Sequence, residues 1–144
     1  MGGFSQKQIS FPFSNNENRG VFRVQQHLLA LHELEIVGWS MLTSLPNGLQ
    51  CLTTLEKLTI SHFSKLQVLP EWFRRLSSLQ FLMIGECKKL TSMPSKEKMG
   101  RLTKLRRLKI CCCPLLKIMC LKDCGSEWHN ISHIPYIKID DEKV

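Results

Sequence analysis

The sequence lacks long apolar runs and recognisable nucleotide-binding motifs. Nothing near about 18 consecutive apolar residues occurs, so we expect no transmembrane helix. The opening residues Met1–Gln6 show no apolar segment of the kind found in secretory signals. Neither G-x-x-x-x-G-K-[ST] nor G-x-G-x-x-G is present, so no nucleotide phosphate site is expected. These absences argue against a membrane protein and against a cofactor-dependent enzyme.

The sequence also lacks the cysteine pattern of a secreted disulfide scaffold. Its seven cysteines are odd in number, and Cys111, Cys112 and Cys113 are adjacent. Reduced thiols in the cytoplasm, with the nucleus as a second compartment, are the simpler interpretation. A thiol hydrolase would need a cysteine, a histidine and an orienting group in a cleft, and no local signature accompanies these cysteines. We therefore predict no catalytic residues.

What the sequence does contain is one apolar pattern that recurs along the chain. The stretch Leu55–Ile60 reads L-x-x-L-x-I, and related stretches begin at Leu31, Leu79, Leu105 and Ile134. The successive spacings are 24, 24, 26 and 29 residues. Such a period with this core is the signature of leucine-rich repeats. The pattern predicts a leucine-rich-repeat horseshoe, an α/β solenoid with a five-stranded parallel sheet on its concave face and loops or short helical turns on its convex face.

The repeat also predicts how the chain is divided. Residues 28–140 hold about four and a half repeats, and residues 141–144 form a polar tail. Residues 1–27 do not fit the period and are either irregular or a remnant of an upstream repeat. No clear N-terminal cap is visible, so we expect a cut N-terminus and a genuine C-terminus. Cys87 and Cys113 lie three residues after a strand Ile, where a small side chain lets the chain leave the strand.

Alternation along each strand predicts which side chains face away from the core. Leu58 and Ile60 should point inward, whereas Lys57 and Thr59 should point to the concave face. An aromatic and methionine patch flanked by charges is typical of a protein-binding surface. The predicted protein-binding residues are Glu33, Glu35, Lys57, Thr59, Phe81, Met83, Arg107, Lys109, Tyr136 and Lys138. The alternative is that these are tolerated sheet residues, with Glu33 beside Lys57 as a cross-strand pair.

Two other constellations suggest different functions. A basic cluster between Lys88 and Lys109 contains one acidic residue, Glu97, and would suit nucleic acid or an acidic partner. Its members are Lys88, Lys89, Lys96, Lys98, Arg101, Lys104, Arg106, Arg107 and Lys109. The spacing Cys120-x3-Cys124-x4-His129-x3-His133 resembles a zinc ligand set but matches no common finger. A nucleic-acid-binding or zinc-binding adaptor is therefore the alternative function, although we favour solvated lysines and no metal.

The string L-x-x-L-x-I-x-x-C-x-x-L-x-x-[LM]-P, best seen from Leu79 to Pro94, resembles the C-terminal repeats of plant disease-resistance proteins of the nucleotide-binding, leucine-rich-repeat class. The ending Gly125–Asp140 is similar to the terminus of the coiled-coil branch of that class. The resemblance implies a non-catalytic sensor and autoregulatory module without a cofactor. Its implied partners are a pathogen effector, a guarded host protein or the nucleotide-binding switch domain of a full receptor. A fragment, a truncated gene product and a short decoy all remain open.

Overall fold

The chain forms one sheet whose strands follow each other in sequence order. A computed structural model describes the backbone of residues 6–10 and the whole of residues 31–38 and 41–144. The strands are β1 (Gln6–Ser10), β2 (Glu33–Val37), β3 (Lys57–Ser61), β4 (Phe81–Gly85), β5 (Arg107–Cys111), β6 (Tyr136–Ile139) and β7 (Glu142–Lys143). Strands β1 to β6 pair in parallel, and β7 pairs with β6 antiparallel. This mostly parallel open sheet fits a solenoid of stacked repeats.

The predicted number of five parallel strands is wrong, because the described residues form a sheet of seven strands, six of them parallel. The five predicted strands are present as β2 to β6, in the predicted order. The added β1 lies within residues 1–27, and its backbone pairs with β2 from Gln6 opposite Glu33 to Ser10 opposite Val37. Residues 1–5 and 11–30 lie outside the described residues. The horseshoe curvature stays a prediction.

The second added strand, β7, comes from the segment predicted to be a polar tail. The chain reverses after β6 because Asp140 takes a left-handed conformation, with φ of 53°. This turn places Ile139 opposite Glu142 and Lys138 opposite Lys143. Val144 then packs against the core, and its N–H donates to the Ile137 carbonyl over 2.9 Å. The strand adds an antiparallel edge after the last repeat.

The strand register stacks the apolar positions into one core. Leu34, Leu58, Leu82, Leu108 and Ile137 are aligned on successive strands, and so are Ile36, Ile60, Ile84, Ile110 and Ile139. All ten are at most 5% exposed. Burying such a side chain contributes about 1.5–3 kcal/mol, which a single unpaired repeat would forgo. The predicted placement of the repeat leucines on adjacent rungs is confirmed.

Short helical turns return the chain from one strand to the next, as predicted. The returns from β2 to β3 and from β3 to β4 use 3₁₀ helices, Asn47–Cys51 and Glu71–Arg75, each directly preceded by a proline. The return from β4 to β5 uses α1 (Lys96–Gly100), and the return from β5 to β6 uses α2 (Pro114–Met119) and α3 (Trp128–Ile131). At the start of α1 the Ser95 hydroxyl accepts a hydrogen bond from the Lys98 N–H over 3.5 Å. Several apolar side chains in each of these returns, such as Phe73 and Met99, complete the core.

The chain leaves four strands through a left-handed residue. His62, Glu86, Cys112 and Asp140 have φ between 52° and 64°, a region that L residues enter only at a cost. The arrangement is held from the next rung: the His62 N–H donates to the Gly85 carbonyl over 3.1 Å. Gly38 occupies the corresponding position directly after β2. A Cβ there would lie 2.5 Å from the buried Phe63 ring, so this close approach requires glycine.

The two cysteines predicted to end strands are buried and contact each other across rungs. The Cys87 N–H donates to the Cys113 sulfur over 3.4 Å, and the Cys113 thiol contacts the Cys111 carbonyl at 3.2 Å. The hydrogen bond with the Cys87 side chain, and then burial, raise the pKa of Cys113. These thiols satisfy backbone groups at the end of the strand, which is the structural role expected of that position.

Two carboxylates, Glu127 and Asp140, bond the C-terminal part of the chain to earlier repeats. Glu127 Oε2 accepts from the Met93 N–H at 3.0 Å and from the side-chain amide of Asn130 at 2.9 Å. Asp140 accepts from the Cys112 N–H and from the Lys117 ammonium, each at 2.9 Å. The Lys117 hydrogen bond, followed by that of Cys112, lowers the pKa of Asp140. The C-terminal rung is therefore held by polar contacts as well as by core packing.

Candidate functional site

The open face of the sheet, which lies opposite the core, carries the predicted binding residues in two rows. The first row is Glu33, Lys57, Phe81, Arg107 and Tyr136, and the second row is Glu35, Thr59, Met83, Lys109 and Lys138. Each member lies beside the equivalent residue of the next strand, because the strands are in register. None of the ten side chains is buried. The structure therefore brings all ten predicted residues onto one accessible surface.

The first row forms a series of side-chain contacts. Lys57 Nζ lies 3.0 Å from Glu33 Oε1 and 5.4 Å from the centre of the Phe81 ring. Further along, the Arg107 guanidinium lies 5.1 Å from the centre of the Tyr136 ring. Cations over aromatic rings at such distances are attracted by the ring quadrupole. The cross-strand pair of Glu33 and Lys57 is present, and it holds the Lys57 ammonium beside Phe81.

A shallow depression lies at the N-terminal ends of strands β2 to β5. Its volume is about 400 Å³, and it is lined by His32, Glu33, Glu56, Lys57, Gln80, Phe81, Arg106 and Arg107. Half of this lining was predicted; His32, Glu56, Gln80 and Arg106 were not. These four residues directly precede the strands, where strict alternation would have pointed them at the core. The signal that reveals them is chemical, because a polar residue directly precedes each of the strands β2 to β5, whereas Pro135 precedes β6.

Backbone hydrogen bonds between neighbouring repeats fix the residues that directly precede the strands in this depression. The His32 carbonyl accepts from the N–H groups of Glu56 and Lys57, at 2.8 and 2.9 Å. The Glu56 carbonyl does the same for Gln80 and Phe81, at 2.7 and 3.0 Å. Each carbonyl thus receives two donors from the next rung. This pairing turns the polar side chains outward, and Glu56 Oε1 comes within 3.6 Å of His32 Nδ1.

Charge changes sign along the open face. The acidic residues Glu33 and Glu35 lie on β2, and uncharged Thr59 and Met83 occupy the second row on β3 and β4. On β5 and β6 the same row holds Lys109 opposite Lys138, and Lys138 is opposite Lys143 of β7. The face therefore offers an acidic end, an apolar centre and a basic end. Such a pattern can set the orientation of a bound partner.

The basic cluster between Lys88 and Lys109 does not form a single patch. Lys96 and Lys98 lie on α1, whereas Arg107 and Lys109 lie on the open face of β5. Three of its cations contact carboxylates: Lys88 with Glu86 at 2.9 Å, Arg101 with Glu97 at 3.8 Å, and Lys98 with Glu71. Distributed and partly paired cations are typical of a solvated surface. The basic residues between Lys88 and Lys109 are close together in the sequence but spread over different surfaces of the fold.

The structure does not assemble the zinc ligand set suggested by the C-terminal cysteines and histidines. Cys120 is fully buried in the core, and burial raises the pKa of its thiol to about 12. Cys124, His129 and His133 are exposed. Within residues 31–38 and 41–144, no three His, Cys, Asp or Glu side chains come together as a metal site. Cys120 is a core residue, as its place in the repeat suggests.

In the part of the chain that the structure describes, no helix has the length and apolar character needed to cross a bilayer.

Comparison with curated protein sequences and with solved structures gave no match. Residues 47–113, which run from the first 3₁₀ helix to the end of the β5 rung, match the family model described as R13L1/DRL21 LRRs. This match, together with the mostly parallel open sheet, fits a solenoid of leucine-rich repeats.

Proposed function

We propose that this chain is a non-catalytic protein-recognition and autoregulatory module of a plant immune receptor, acting in the cytoplasm through the open face of its sheet. The family match at residues 47–113 supports protein recognition in resistance-type proteins. The partner would be a pathogen effector, a guarded host protein or the nucleotide-binding switch domain of a full-length receptor. No cofactor enters this function.

The observation that carries the proposal is the centre of the open face. Phe81 and Met83 lie side by side on β4 and are only partly buried, with charged residues on the flanking strands. An apolar centre with a polar rim is the usual anatomy of a protein interface. Aromatic and arginine side chains also contribute most of the binding energy at such interfaces. Phe81 and its neighbour Arg107 are therefore the expected anchors.

The shape of the depression favours a protein over a small molecule. Its lining comes from four successive rungs and mixes both signs of charge around one aromatic ring. Small-molecule sites are mostly apolar and enclose most of the ligand surface. A shallow, polar-edged surface repeated along a solenoid instead suits an extended protein contact.

The proposal is tested by pull-down of a plant receptor switch domain with the full chain. The double variant Phe81→Ala with Arg107→Ala should lose at least about tenfold in affinity, since truncating central aromatic and arginine anchors each costs about 1–2 kcal/mol or more. The control is Val68→Ala with Arg74→Ala, which truncates one apolar side chain and one arginine at exposed positions away from the open face. Equal binding by both double variants would contradict the proposed surface.

A further inference from the structure

The basic end of the open face brings four cations together around one tyrosine. We define the basic patch as Arg107, Lys109, Lys138 and Lys143, which surround Tyr136 on β5, β6 and β7. The register places Lys109 opposite Lys138 and Lys138 opposite Lys143. Adjacent strands lie about 4.8 Å apart, so three lysines project from neighbouring positions.

These lysines have no acidic partner within the described part of the chain, whereas four lysines elsewhere in that part do. Lys57, Lys88 and Lys117 each lie within 3.0 Å of a carboxylate oxygen. Like charges placed directly opposite each other in a sheet are destabilising. An anion bound across the patch would remove this repulsion, so the patch is arranged to gain from binding negative charge.

Tyr136 organises two of the cations. The Arg107 guanidinium lies 5.1 Å and the Lys143 ammonium 5.3 Å from the centre of its ring. The contact with the ring uses none of the guanidinium N–H groups as hydrogen-bond donors, and these groups match the geometry of a carboxylate. Arg107 can therefore donate to a carboxylate in two-point contact.

The patch is short, and acidic residues border it. It spans three strands, which is roughly 10 Å across two strand intervals. Asp141 and Glu142 are exposed at the outer edge, and Glu33 and Glu35 lie at the far end of the same rows. An extended peptide advances about 3.3 Å per residue, so about three residues cover the patch. A longer polyanion such as a nucleic acid strand would run over these carboxylates and be repelled.

We infer that the basic patch binds a short acidic segment of the partner protein, in which two or three Asp or Glu side chains meet Arg107, Lys109, Lys138 and Lys143. This inference rests on the proposed function and specifies the chemistry of the partner. It also orients that partner, since the acidic end of the segment must lie over β5 to β7 and cannot lie over Glu33 and Glu35.

The test measures binding of fluorescein-labelled triglutamate to the full chain by fluorescence anisotropy at low salt. The double variant Lys109→Gln with Lys138→Gln should bind at least tenfold more weakly than the unmodified chain. The control Lys65→Gln with Lys104→Gln removes the same charge from exposed positions outside the patch and should stay within twofold. Added salt should weaken the specific binding, because exposed charges are screened.

Other outcomes overturn the inference. Equal loss in both double variants would mean that net charge alone attracts the peptide. Binding of labelled octathymidylate as tight as that of triglutamate would favour nucleic acid instead. If triglutamate does not bind while the Phe81 and Arg107 variant still loses the switch domain, this inference fails and the proposed function stands. If triglutamate binds as expected while that variant retains the switch domain, the proposed function fails.

Discussion

At the scale of single residues, neighbouring positions on one strand have opposite roles. Leu82 is fully buried in the core, whereas Met83 lies on the open face. Both are apolar and of similar size, so composition alone does not distinguish them. The alternation of the strand does, because successive side chains point to opposite faces of a sheet.

Replacing Leu82 with alanine should lower the free energy of unfolding by about 2–5 kcal/mol, since it leaves a cavity between two rungs of the core. The matched change Met83→Ala should cost no more than about 0.5 kcal/mol, as is usual for surface positions. Urea denaturation followed by circular dichroism measures both values. A near-neutral Leu82→Ala variant would contradict the assigned core.

At the scale of elements, the last rungs depend on a contact between a helix and a turn. The Lys117 ammonium at α2 and the Asp140 carboxylate after β6 lie 2.9 Å apart. The hydrogen bond from Lys117, then that from the Cys112 N–H, lowers the pKa of Asp140. The hydrogen bond to Asp140 likewise raises the pKa of Lys117. Each shift reports that the folded state favours the charged forms.

These shifts predict how stability depends on pH. The carboxylate contribution of Asp140 is complete above its unfolded pKa of about 3.9 and is lost as the pH falls through its lower folded pKa. The Lys117 contribution is complete below about pH 10.4 and is lost as the pH rises through its higher folded pKa. The Asp140→Asn variant should therefore melt at a lower temperature than the unmodified chain at neutral pH. That difference should shrink in acid.

The control for this pH series is Asp141→Asn, the neighbouring exposed carboxylate. Thermal melts at several pH values should show almost no difference between this variant and the unmodified chain at neutral pH. A constant difference between Asp140→Asn and the unmodified chain from neutral pH down to strong acid would disprove the assigned ion pair.

At the scale of the whole molecule, the described repeats share a single hydrophobic core. It extends from Leu31, just before β2, to Ile139 on β6. Nearest-neighbour packing between rungs makes each repeat depend on those beside it. Buried groups in distant repeats should therefore become accessible together, which the cysteines allow us to test.

We expect iodoacetamide to modify the exposed Cys51, Cys112 and Cys124 in the native chain and to leave Cys87, Cys113 and Cys120 unmodified. The reaction needs a thiolate, and burial raises the pKa of Cys120 to about 12. Mass spectrometry of alkylated peptides across a urea series gives the modification of each cysteine. The three buried thiols should react over the same urea range. Earlier modification of Cys120 would show instead that the C-terminal rung opens separately.

The sequence by itself determined the phase of the repeat, and with it the strands β2 to β6, the core leucines and the ten residues of the open face. Phase suffices for these features because a side chain's face depends only on its position along a strand. Buried cysteines at the strand ends followed from the same phase, as Cys87 and Cys113 show.

Only the tertiary structure decided which partners those residues meet. The pairing of β1 with β2, the return of β7 along β6 and the outward turn of His32, Glu56, Gln80 and Arg106 all depend on hydrogen bonds from a neighbouring rung. Whether a cation is paired, as Lys57 is with Glu33, or faces another lysine, as Lys109 does, depends on residues more than 20 positions away. Local propensity carries no record of such contacts, because the backbone groups and charges that make them come together only when the rungs stack.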